Sequence, residues 1–77
     1  MSRLPKLSGR EVIRILIKEF GFEISRQRGS HVVLRKFCEG KKIVTVVPLH
    51  NEIKVGTLHG ILELAKISKE EFIKKLK

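Results

Sequence analysis

Gly29-Ser30-His31 lies between two strand-like runs, with Arg26 and Arg28 before it and Arg35 and Lys36 after it. Histidine exchanges protons near neutral pH. A histidine among cationic side chains is equipped to exchange them beside a phosphate. RNA supplies its own nucleophile there, the 2′-hydroxyl. One group takes the proton from that hydroxyl and another protonates the departing 5′-oxygen. Positioned acid–base groups contribute roughly 10²–10⁴-fold in rate. Arginine or lysine stabilises the crowded phosphorane. No metal or cofactor is required. His31 is the candidate for proton transfer and His50 the candidate second group. Arg26, Arg28, Arg35, Lys36 and Lys54 are the candidate RNA contacts.

Plainer readings stand beside this one. A histidine at a strand start is often a surface or hydrogen-bonding residue. His50 can fix its loop through the backbone, and His59 reads as an exposed helix residue. Ser30 adjoins His31 in sequence, but strand neighbours point to opposite faces, so the two form no nucleophile–base pair. Cys38 lies at a hairpin, away from the histidines. Together, Cys38 and the three histidines lack the paired spacings of a structural zinc site.

The elements that must position these groups are readable. Ser8-Gly9-Arg10-Glu11 has capping-box spacing. Val12, Ile13, Leu16, Ile17 and Phe20 recur at helical intervals, with Arg10, Arg14 and Lys18 on another face. Gly21 suits a left-handed stop. This predicts a helix over 9–20. Phe22 to Arg28 reads as a short strand, with Phe22 and Ile24 on one side. His31–Phe37 and Lys42–Pro48 are two more strands, joined through a Glu39-Gly40 hairpin signal. If 38 pairs with 41, His31 falls opposite Pro48, and His50 leaves the sheet at the same end. Strands two and three are apolar on both faces, so the helix-facing side stays open. A second helix starts near Val55 or Gly56, carries Leu58, Ile61, Leu62 and Ala65, and includes Gly60 as a point of close packing. Ser68-Lys69-Glu70-Glu71 is another capping box. It opens a short helix with Phe72, Ile73 and Leu76, whose end is complemented by Lys74, Lys75 and Lys77. The expected fold is α+β, a three-stranded antiparallel sheet with the helices on one face.

Seventy-seven residues make a single domain, 1–77, with an aliphatic core: there are four Phe and no Trp or Tyr. Base-stacking platforms are therefore scarce. The formal net charge of +9 on so small a chain favours a polyanionic partner, nucleic acid first. A solubilising lysine surface or an acidic protein partner also accommodates it. The single cysteine allows no intrachain disulfide and fits a reducing compartment. The first residues lack the apolar core of a signal peptide, and no apolar run nears the roughly 20 residues of a membrane span. A cytoplasmic protein without membrane contact is expected.

Several segments in this order resemble the HicA toxin family. They are Leu7-Ser8-Gly9-Arg10-Glu11-Val12-Ile13, Gly21-Phe22-Glu23 with Arg26-Gln27-Arg28-Gly29-Ser30-His31, Val44-Thr45-Val46-Val47-Pro48-Leu49-His50, Ile53-Lys54-Val55-Gly56-Thr57-Leu58 with Ile61-Leu62, and Ile67-Ser68. The resemblance implies a double-stranded-RNA-binding-domain-like fold and messenger-RNA cleavage that halts translation. It implies catalysis at His31, and a HicB-type antitoxin that covers this histidine. The toxin would be a monomer when unbound. The chain departs from the family's pattern at Val55, where proline is common, and at His59, where arginine is common. A non-catalytic RNA-binding module of the same fold is the competing reading.

Overall fold

The computed structural model describes residues 4–76. The order is α1 (Gly9–Phe20), β1 (Glu23–Arg28), β2 (His31–Cys38), β3 (Lys41–Pro48), α2 (Val55–Ala65) and α3 (Lys69–Lys74). The sheet is antiparallel in the order β1-β2-β3, with helices packed on it, as the α+β expectation requires. Lys77, read as a cation at the end of the last helix, lies outside the described residues.

Local chemistry sets the helix ends. The Ser8 hydroxyl accepts from the Glu11 N–H at 3.2 Å, and the Glu11 carboxylate accepts from the Ser8 N–H at 2.8 Å. Accepting that backbone bond holds the Glu11 carboxyl below its ordinary value. Ser68 and Glu71 repeat the arrangement at α3, with the same consequence for Glu71. Gly21 takes the left-handed conformation that stops α1. Lys66 does so after α2, where the Lys66 and Ile67 N–H groups donate back to the Glu63 and Leu62 carbonyls. That is a Schellman stop carried by a residue with a Cβ, which left-handed backbone disfavours.

Both hairpin turns have two central residues. Glu39 and Gly40 each have positive φ (52° and 77°), as a type I′ turn requires. Cys38 pairs with Lys41 and His31 with Pro48, the expected register. In the first hairpin Gly29 has positive φ and Arg28 pairs with His31. The Gln27 side-chain amide donates to the Gly29 carbonyl at 3.0 Å and braces the turn.

The helices cover the face carrying Val32, Leu34, Thr45 and Val47, which join Val12, Leu16, Leu58, Ile61, Leu62 and Phe72 in one core. Thr45 is fully buried and donates to the Ile61 carbonyl at 2.9 Å, pinning α2 to β3. Phe20 stacks on Phe72, tying α3 to the end of α1. Both helices lean on β3. Every residue of β1 is therefore exposed, and a bulge between Ile24 and Arg26 breaks its pairing. Phe22, just before β1, is buried, but Ile24 is 53% exposed. Gly60 corrects an expectation. A Cβ there would meet nothing within 4 Å, so the glycine borders an open cleft rather than a tight contact. The close approach occurs at Gly9 instead, where a Cβ would overlap the Pro48 carbonyl oxygen.

Candidate functional site

Strand alternation assigns each candidate a face. Val32 and Leu34 point into the core, so His31, Val33, Arg35 and Phe37 stand on the open face. Through the register, Arg28 and Arg26 join them from β1, and Pro48, which is buried, pairs with His31 from β3. His31 is exposed, with Arg28 directly across one strand gap and Pro48 across the other. Directly paired residues hold their Cβ atoms about 4.5–5.5 Å apart, and diagonal ones about 7–8 Å. Arg28 is the direct neighbour of His31 and Arg26, paired with Val33, the diagonal one.

The backbone beyond β3 fixes this end of the sheet. The Leu49 N–H donates to the Ser30 carbonyl at 2.6 Å, joining the chain after β3 to the turn before His31. The next carbonyl, of His50, accepts from the Gly9 N–H at 2.9 Å. The Ile53 N–H donates to the Leu7 carbonyl at 2.7 Å. His50 thus sits exposed at the His31 end, its backbone locked to the start of α1.

The other candidates are spread out. Arg35 shares the open face but stands four residues along β2, about 13 Å at the usual strand rise. Its guanidinium donates to the Glu23 carboxylate at 2.9 Å and lies 5.9 Å from the Phe37 ring centroid. Lys36 points to the helix side, its ammonium 5.7 Å from the Phe22 ring centroid. Lys54 is the exposed cap residue of α2. The geometry therefore gathers His31, Arg28, Arg26 and the His50 segment, and leaves Arg35, Lys36 and Lys54 elsewhere. Among the described residues Arg35–Glu23 is the sole ion pair, so Arg26 and Arg28 have no anionic partner there. Also among them, no three His, Cys, Asp or Glu side chains cluster as metal ligands, and no helix is long and apolar enough to cross a membrane.

Sequence reasoning did not anticipate three supports of this end: the Gln27 brace, the Ser30–Leu49 bond and the tight Gly9–Pro48 approach. The nearest signal for the last was a glycine, a poor helix former, in the first helical position.

The arrangement offers an exposed imidazole on β2 and, on the paired strand β1, two arginines that form no ion pair among the described residues. Side chains of these types are the ones that phosphate binding and proton transfer call for. By fold and charge the protein is thus a small basic α+β domain. The family model for the HicA toxin of bacterial toxin–antitoxin systems matches residues 9–67, from the start of α1 to the turn after α2. The chain belongs to the HicA toxin family. It is accordingly the toxin of a toxin–antitoxin pair, with an antitoxin as partner, in a family whose toxins are generally ribonucleases. No curated protein and no solved structure matches it.

Proposed function

We propose that this toxin is a metal-independent endoribonuclease that cuts messenger RNA, with His31 in proton transfer and Arg28 and Arg26 holding the scissile phosphate. The 2′-oxygen attacks phosphorus as its proton leaves, and the bond from phosphorus to the 5′-oxygen breaks as that oxygen is protonated. The products are a 2′,3′-cyclic phosphate and a 5′-hydroxyl. His31 supplies one of the two proton transfers, and His50, leaving the sheet at the same end, is the candidate for the other. The protein acts in the cytoplasm, as a monomer until the antitoxin binds.

The observation that carries this reading is the pairing of His31 with Arg28 on the open face, with Arg26 diagonal to it. Direct pairing, with Cβ atoms about 4.5–5.5 Å apart, supports joint action of the imidazole and the guanidinium on one phosphate. The test is incubation of the purified protein with RNA in EDTA. Cleavage that disappears in a folded His31→Ala variant is expected. Persistent cutting by that variant removes His31 from the chemistry. A mobility shift with intact RNA establishes the binding-module reading instead.

A further inference from the structure

On the helix side, α1 and β1 do not close on each other. A groove of about 420 Å³ remains, floored by Ile13, Ile17, Ile24, Val32 and Leu49 and edged by Arg10, Arg14 and Lys18. Ile17 and Ile24 are 38% and 53% exposed, and they adjoin in one apolar floor. The three cations recur every fourth residue along one line of α1. None of them has an ionic partner among the described residues, and no carboxylate lines the groove.

The groove lies on the opposite face of β1 from His31, since Ile24 and Gln27 pair with the core-facing Leu34 and Val32. Its contents distinguish the possible partners. RNA seeks cations with stacking surfaces or base-reading groups. This floor is entirely aliphatic, with no aromatic ring, and matches apolar side chains. The rim matches carboxylates. From Arg10 to Lys18 the helix rises about 12 Å, the length of about two turns of a partner helix. Helix-in-groove recognition reads such a segment through apolar anchors at i, i+3, i+4 and i+7.

We propose that the α1–β1 groove is a protein-docking site that takes an acidic amphipathic segment of the antitoxin. The proposal rests on the family's having an antitoxin, not on the nuclease reading. It gives the partner a hold on the toxin that is separate from the His31 face. Charge on the rim speeds encounter and selects against basic segments, while the isoleucines supply the buried contact.

The experiment is calorimetric titration of the full-length toxin with the antitoxin of the same pair, using the wild type, Arg14→Glu, Lys18→Glu and Ile24→Glu. All three positions are exposed, and circular dichroism confirms folding. Each variant is expected to weaken binding about tenfold or more, as loss of one favourable rim or anchor contact does, while RNA cleavage stays unchanged. In parallel, isoleucine methyl signals are followed as an acidic amphipathic peptide of about ten residues, two to three turns, is added. The Ile13, Ile17 and Ile24 methyls are expected to move and the His31 ring is not. Unchanged antitoxin affinity in all three variants overturns the proposal. So does movement of these methyls by a short RNA but not by the peptide, which makes the groove a nucleic-acid surface. Failure of the wild type to cut RNA would remove the nuclease reading and leave these binding measurements intact.

Discussion

The Arg28–His31 end of the open face and the α1–β1 groove carry charge of the same sign and differ in what lies between the charges. On the open face, two arginines of β1 stand beside the imidazole of β2, one directly paired with it and one diagonal to it. In the groove, three cations flank five aliphatic side chains. Positive charge alone draws any polyanion toward either surface. The neighbouring groups decide which partner stays and what happens to it. An imidazole converts phosphate binding into proton transfer, whereas an isoleucine floor converts attraction into burial of apolar surface. A net charge of +9 is thus spread over surfaces whose neighbouring groups differ in kind.

The sharpest way to break this comparison is His31→Ala. It should lower RNA cleavage roughly 10²–10⁴-fold, the usual contribution of a positioned acid–base group, without shifting the melting temperature. Equal loss from Arg14→Glu would erase the distinction between the surfaces. Gly9→Ala comes next. A methyl group there meets the Pro48 carbonyl, at the junction between α1, which walls the groove, and the strand end beside His31. Overpacking of this kind costs typically about 1–3 kcal/mol, measurable by urea denaturation, and should disturb both surfaces together. Removing both open-face guanidinium groups, with Arg26→Ala and Arg28→Ala, should flatten the log–log salt dependence of RNA binding. The expected change in slope is about 1.4, at about 0.7 per contact with single strands. Lys66→Gly, remote from both surfaces, should raise stability by about 0.5–1 kcal/mol by relieving a left-handed backbone and leave cleavage and antitoxin binding untouched.

The smallest effect concerns acid. Glu11 and Glu71 have folded-state pKa values below the ordinary 4.5 because their carboxylates accept cap hydrogen bonds. A depressed value means that the native state favours the ionised form. Their contribution is therefore complete above the unfolded pKa and is lost as pH falls through the folded one. Glu11→Gln with Glu71→Gln should flatten stability against pH below about 4.5, read by thermal melts, while the two surfaces keep their partners.

Features set by neighbouring residues were readable in the chain. Both capping boxes, the Gly21 stop and the register that places His31 opposite Pro48 follow from short-range rules about caps and turns. Features set by how the layers meet were not. Val32 and Val33 are alike in sequence, and only docking of the helices decides that Val32 is buried and Val33 shares the open face with His31. The same docking turns Lys36 away from the candidate site and buries Thr45 under Ile61. It also leaves Gly60 beside open space, where a glycine in a helix suggested contact. Because both helices lean toward β3, nothing in the local pattern at Ile24 forecast a groove. Arg10, Arg14 and Lys18 were visible as a line of charge, and their relation to an apolar floor required the third dimension.

The bulge between Ile24 and Arg26 has an effect beyond this molecule's own pairing. An uncovered border strand is a template on which other chains can add, the first step toward fibrous aggregates. Here the kink spoils the straight run of donors and acceptors, and two like-charged arginines follow it, so a second copy laid alongside meets mismatched spacing and repulsion. The β1 border is thereby a poor template for strand addition by a further copy of the chain.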